Sequence, residues 1–176
     1  VLDEILMPAM QSAGELYERG RFYLPQLLAA AEVMQGCAEL LEQRCPGTGT
    51  ESKKKVLLAS VEGDVHDIGK GIVSMLLRTY GISVKDLGRD VKSSAIVEAV
   101  MKDNDIAVVG LSALMTTTMI QMKKVIDDLN VNGCRDRVLV VVGGAVVTAG
   151  YASEIGADFY AGDAETGVRY IREKVK

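Results

Sequence analysis

The stretch Glu62-Gly63-Asp64-Val65-His66-Asp67-Ile68-Gly69-Lys70-Gly71 lies where one periodicity gives way to another. The apolar run Val56–Val61 precedes it, and Ile68, Ile72, Met75 and Leu76 follow at helical spacing. A short β-branched run giving way to a helical stripe makes the stretch the loop that leaves a buried strand. His66 is the only histidine in the chain. Two readings of it stand on this loop alone. In one, it is a solvated or capping residue, and Asp64 and Asp67 are acidic residues favouring the first turn of the next helix. In the other, one imidazole nitrogen binds a metal while the second donates to the Asp64 carboxylate. Cys37, Cys45 and Cys134 stand far apart in the sequence. A zinc site of protein ligands alone is therefore not expected, and a metal at His66 would take its other ligands from a cofactor.

Outward from this loop the same alternation repeats. Val56–Val61, Ile82–Leu87, Ile106–Leu111, Val138–Val142 and a short Phe159-Tyr160 read as strands. Helical stripes fill the gaps: Ile72, Met75, Leu76; Ile96, Val97, Val100; Met119, Ile120, Ile126, Leu129; Val146 onward; Val168, Ile171, Val175. Strands alternating with helices predict an α/β fold, a parallel five-stranded sheet covered on both faces by right-handed crossovers. Ligands of such sheets lie beyond the carboxyl ends of the strands. Those ends offer the His66 loop, then Ser112-Ala113-Leu114-Met115-Thr116-Thr117-Thr118, then Gly143-Gly144-Ala145, then Gly162-Asp163-Ala164. Taken singly, the threonines read as helix caps and the glycine pair as a turn.

Rival α/β chemistries lack their residues. Gly63, Gly69 and Gly71 miss the dinucleotide spacing, and Gly69-Lys70 is followed by glycine where a nucleotide loop needs Ser or Thr. A phospho-acceptor receiver needs an aspartate at the end of the third strand, where Val109-Gly110-Leu111-Ser112 stands. No serine or cysteine partner accompanies His66 in its own loop.

Ahead of the sheet, Leu2, Leu6, Met10, Ala13 and Tyr17 form one amphipathic stripe, with Pro8 expected to kink it and Gly20 to end it. Leu24, Leu27, Leu28, Ala31, Met34, Ala38 and Leu41 form a second, with Pro25 in its first turn. Such a pair must pack on each other, on the next domain or on further helices. The expected division is residues 1–45 helical, 46–53 linker, and 54–176 the α/β domain. The chain opens at Val1 inside a helical pattern, and a preceding piece is expected.

Net charge is −4, with 48% hydrophobic and 25% charged residues. That balance argues against a nucleic-acid or anionic-membrane surface, both of which call for clustered basic charge. No apolar run has membrane-spanning length and no signal peptide pattern opens the chain, so the cytoplasm is the expected compartment. Three dispersed cysteines fit a reducing compartment.

Taken together, Asp64-x-His66-x-x-Gly69, then Ser112-x-Leu114, then Gly143-Gly144 resemble the corrinoid-binding signature of methionine synthase and of the corrinoid proteins of anaerobic methyltransferase systems. Gly14-Glu15-Leu16-Tyr17-Glu18-Arg19-Gly20 and Tyr23-Leu24-Pro25-Gln26 are similar to the helical cap over the corrinoid in that family. The resemblance implies a Rossmann-like, flavodoxin-type sheet behind an N-terminal helical cap, with cobalamin or a related corrinoid as cofactor. It implies His66 as the lower axial ligand of cobalt in place of the cofactor's own base. Asp64 then accepts the other ring N–H, and Thr118 stands where a serine continues that relay. Ser112 would hydrogen-bond the displaced base, with Gly143 and Gly144 leaving it room. Gly63, Val65, Asp67, Gly69, Leu114, Thr116 and Ala164 match further corrinoid contacts, and Tyr17 and Leu24 match apolar residues over the upper face.

The implied activity is methyl carriage on cobalt, between Co(I) and its methylated Co(III) form. Implied partners are a donor-specific methyltransferase, an acceptor methyltransferase serving a folate or a thiol, and a reductive activator of Co(II). The alternatives are an adenosylcobalamin-binding regulator or sensor, disfavoured by the lack of a basic patch, and a mutase small subunit, which lacks such a cap.

Overall fold

Along the first strand Leu57 and Ala59 are buried on one side, and Val56 and Leu58 on the other. Burial on both sides marks a strand inside a sheet covered on both faces. The computed structural model describes residues 5–44 and 54–175. Its strands are β1 Lys55–Ser60, β2 Ser83–Asp86, β3 Ile106–Ser112, β4 Leu139–Gly143 and β5 Phe159–Ala161. Every pairing is parallel and the order is β2-β1-β3-β4-β5, the flavodoxin-type order. The helices are α1 Met7–Glu18, α2 Leu24–Arg44, α3 Ile68–Thr79, α4 Ser93–Lys102, α5 Thr116–Val131, α6 Ala149–Glu154 and α7 Ala164–Val175. On one face α4, α5 and α6 close over Leu57, Val109 and Val142 through Ile96, Met122 and Ile155. On the other, α3 and α7 cover Val56, Leu58 and Val141 through Leu77 and Ile171. The helix pair α1–α2 joins this second cluster through Ala13, Leu27 and Ala31.

Each strand end lies within one residue of its expected place. Val61 leaves the ladder and makes an isolated parallel bridge with Val91. The last interstrand helix starts at Ala149 rather than Val146, because the Thr148 hydroxyl accepts the Tyr151 amide at 3.2 Å and caps it there. Pro8 falls in the first turn of α1, directly after π-helical Ile5 and Leu6, a position where proline is well tolerated. Gly20 ends the helix as expected, at φ +67°. Leu2, the Met10, Ala38 and Leu41 side chains, Cys45 and the expected linker 46–53 lie outside the described residues.

Gly14 sets how closely α1 approaches α3. A Cβ there would stand 2.7 Å from the Tyr80 ring, which also holds the Arg172 guanidinium 3.6 Å from its centroid. Glycine inside a helix costs roughly 0.5–1 kcal/mol against alanine, so its tolerance here is explained by contact rather than propensity. Gly14→Leu is expected to lift α1 off the domain, read as faster limited proteolysis across residues 19–23 with an unaltered sheet. An unchanged cleavage rate would remove this contact from the account.

Candidate functional site

From β1 the chain turns to β2 on one side; from β3 it turns to β4 on the other. The carboxyl-end loops of β1 and β3 part at this switch point and leave a crevice between them. Asp64 lies at its base with no exposed surface. Its Oδ1 accepts the His66 amide at 3.0 Å and His66 Nδ1 at 2.9 Å. Its Oδ2 accepts the Leu114 amide and the Thr118 hydroxyl, both at 2.7 Å. Burial pushes the carboxyl up, but these four donors outweigh it and hold it well below the ordinary carboxylate range. Asp64 therefore stays ionised and ties the loop after β1 to the loop after β3.

An ionised carboxylate only accepts, so Nδ1 of His66 carries the proton, and the lone pair of the neutral ring falls on Nε2. Among the described residues Nε2 has no hydrogen-bond partner, and the side chain is 46% exposed. The loop backbone is also held, since the fully buried Ser60 donates its hydroxyl to the His66 carbonyl at 2.8 Å. This geometry bears on the helix-capping role expected of the two acids. Asp67 stands before α3 without a capping hydrogen bond, and no acidic residue occupies the first turn of that helix. The carboxylate of Asp64 serves the imidazole, not the helix.

Past the His66 loop, at the carboxyl ends of the strands, a cavity of about 300 Å³ has Ser112, Gly143 and Gly144 at its sides and Leu58, Val73 and Ile171 among its apolar walls. Two of its lining glycines stand tight against neighbouring backbone. A Cβ on Gly144, at φ +130°, would stand 1.9 Å from the Ala113 carbonyl oxygen; one on Gly143 would stand 3.0 Å from that of Ala161. Gly69 and Ala164 also line this cavity. Exposed Val65 and Leu114 stand near His66 in the chain or across Asp64. Gly63 has φ +81°, and a Cβ there would touch Thr118 at 3.4 Å. Thr116 begins α5 and is exposed.

Tyr17 is not brought to this loop. Tyr17 packs with Leu76, Tyr80 and Val168, and Tyr80 lies about 18 Å from the start of α3 at the usual helical rise. Leu24 packs on the same cluster. The structure adds residues the sequence reading missed. The Lys70 ammonium is buried and donates to both oxygens of Asp86, at 2.5 and 2.6 Å. The Gly63 amide donates to Asp90 Oδ1 at 2.7 Å. The available signal was Asp86-Leu87-Gly88, an acid and a glycine at the end of an apolar run, in the one carboxyl-end loop left unread. Among the described residues no group of His, Cys, Asp and Glu forms a metal site by itself, and no helix is long and apolar enough to cross a membrane.

Thr118→Val removes one donor from a buried charge and is expected to cost about 1.5–3 kcal/mol in urea denaturation of the cofactor-free protein. Thr118→Ser keeps the hydroxyl and should lose about 1 kcal/mol or less. Equal losses would mean that the hydroxyl does not reach Asp64. Gly144→Ala, facing backbone rather than a movable side chain, should destabilise more than either.

A family model described as a B12 binding domain matches residues 54–171, and a second of the same description matches residues 1–42. Dimethylamine corrinoid protein 2 of Methanosarcina acetivorans is 44% identical over 175 residues, 98% of this chain and 80% of that one. Trimethylamine corrinoid protein 1 of the same organism is 41% identical, over 93% of this chain and 76% of its own. The methanol:cobalamin methyltransferase complex of Methanosarcina barkeri superposes with TM-score 0.90 at 34% identity, over 99% of this chain and 66% of that one. With both segments matched and the switch-point crevice built as described, the chain belongs to the B12-binding family, whose cofactor is cobalamin or a related corrinoid.

Proposed function

We propose that this chain is the methyl-carrying corrinoid protein of a methyltransferase system, with His66 as the lower axial ligand of cobalt and the cofactor's own base displaced into the cavity past its loop. The residues fit such a group. One neutral imidazole presents a free nitrogen at the crevice mouth, and a slot lined by Gly143 and Gly144 lies past its loop. The observation that carries the reading is the buried, ionised Asp64 holding Nδ1 of His66, because it fixes the tautomer and aims Nε2 outward. A bound corrinoid supplies a cobalt centre that accepts and releases a methyl group.

The chain's own residues do the rest. Asp64, kept ionised in part by the Thr118 hydroxyl, holds the proton on Nδ1, which raises the donor strength of Nε2. Ser112 offers a hydroxyl to the displaced base, and Gly63, Val65, Asp67, Gly69, Leu114, Thr116 and Ala164 contact the remainder of the cofactor. Residues 1–45 act as the cap and 54–176 as the cofactor domain. With Tyr17 packed near Tyr80, the His66 face stands open; Tyr17 and Leu24 exclude water from it when the helix pair moves across.

Relatives named for dimethylamine and trimethylamine support a methylamine donor delivered by its own methyltransferase. An acceptor methyltransferase serving a thiol or folate, and a reductive activator of Co(II), complete the system. The test is anaerobic: cobalamin-loaded protein is reduced, then mixed with dimethylamine or trimethylamine and the matching donor methyltransferase. The absorbance of reduced cobalt should disappear with one methyl group bound per cofactor, and His66→Ala should slow this at least about tenfold. No spectral change with any methylated amine and its enzyme would overturn the proposed donor class, and none with methanol either would overturn methyl carriage.

A further inference from the structure

The connection after β2 continues alongside the end of β1 toward the His66 loop. The Leu87 amide donates to the Leu58 carbonyl at 2.9 Å, the Ser60 amide to the Gly88 carbonyl at 3.0 Å, and the Val91 amide to the Ser60 carbonyl at 3.0 Å. Lys70, one turn into α3, grips the start of the connection through Asp86, whose Oδ1 also accepts the Gly88 amide at 2.8 Å. Within this connection Asp90 has φ +53°, the sole positive φ at a non-glycine among the described residues. An L-residue in that region carries a backbone penalty, which persists where the surroundings over-determine it. Here they do. The Asp90 amide donates to the Asp64 carbonyl at 2.9 Å, and its carboxylate accepts the Gly63 amide at 2.7 Å. Both bonds need the left-handed turn, and both land on the two residues that lead into the Asp64–His66 pair.

We infer that Asp90 is a positioning residue for the imidazole: it clamps the backbone of Gly63 and Asp64 from outside the site and thereby sets where Nε2 of His66 points. Asp90 is exposed at the surface and touches neither the cavity nor the imidazole, so its role runs through the backbone it holds. Buried Asp64 fixes the loop from within; Asp90 fixes it from without. The inference rests on His66 as the axial ligand, and its test separates the two.

In cofactor-free protein, Asp90→Ala should speed amide hydrogen exchange at Gly63 and Asp64 about tenfold or more, as loss of a charge-assisted bond allows, with strand amides unchanged. In cobalamin-loaded Co(II) protein the same change should lower the ratio of imidazole-coordinated to uncoordinated cobalt about tenfold, read by electron paramagnetic resonance. Asp90→Asn keeps an acceptor oxygen on a residue that tolerates left-handed backbone, and should restore both readouts. Unchanged exchange in Asp90→Ala overturns the clamp. Faster exchange with an unchanged coordination ratio, or with only a lowered melting temperature, overturns the positioning role. Absence of imidazole coupling in the unsubstituted protein overturns the axial reading instead, while the exchange result still decides whether Asp90 clamps the loop.

Discussion

A carboxylate with no solvent around it must find in the chain what water would have supplied. Asp64 finds four donors, from its own loop, from the loop after β3 and from the start of α5, and the cost of stripping water from the charge is offset by those bonds. Much else in the molecule follows from that requirement. The loop after β1 must curl so that the His66 amide and ring both reach Oδ1, and Gly63 at φ +81° allows the curl. The loop after β3 must bring Leu114 N–H and Thr118 to Oδ2. Two loops that diverge at the switch point are stitched together at the point where the imidazole emerges.

The strand order makes this possible. In the order β2-β1-β3-β4-β5 the strands carrying Ser60 and Ser112 are paired directly, so their loops start side by side and then separate. The separation leaves a slot, and glycine lines it: Gly144 lies where any side chain would strike the Ala113 carbonyl. Mostly apolar and glycine walls with a few polar groups, Ser112, Tyr160, Lys70 and Asp163 among them, suit a large, mostly apolar group with few polar edges. Anchoring the slot and the imidazole to the same two strands fixes their relative position without reliance on the helix pair.

The five strands could be placed to within a residue because their burial on both faces writes continuous apolar runs into the sequence. At the candidate site the sequence marked the loops where particular residue types stand out, as at His66, Ser112 and the Gly143-Gly144 pair, while their roles toward a cofactor rest on the resemblance. Thr118 could be set on the relay by resemblance alone; its 2.7 Å bond to Asp64 required coordinates. What escaped were contacts made across the chain by residues with no pattern of their own. Asp90 looks like any surface acid, and only its left-handed backbone and its bond to Gly63 set it apart. Lys70 looked like a failed nucleotide loop, although its ammonium is buried on Asp86. The resting place of Tyr17 was also unreadable, because an amphipathic stripe states that one face is covered and not by what.

The central claim is that Nε2 of His66, with its proton held on the far nitrogen by Asp64, is the lower ligand of cobalt. The most direct measurement is electron paramagnetic resonance of the cobalamin-loaded Co(II) protein produced once with ordinary and once with nitrogen-15-labelled histidine. The account predicts a superhyperfine splitting that changes with the histidine isotope and is absent in His66→Ala. A splitting indifferent to that isotope would contradict it.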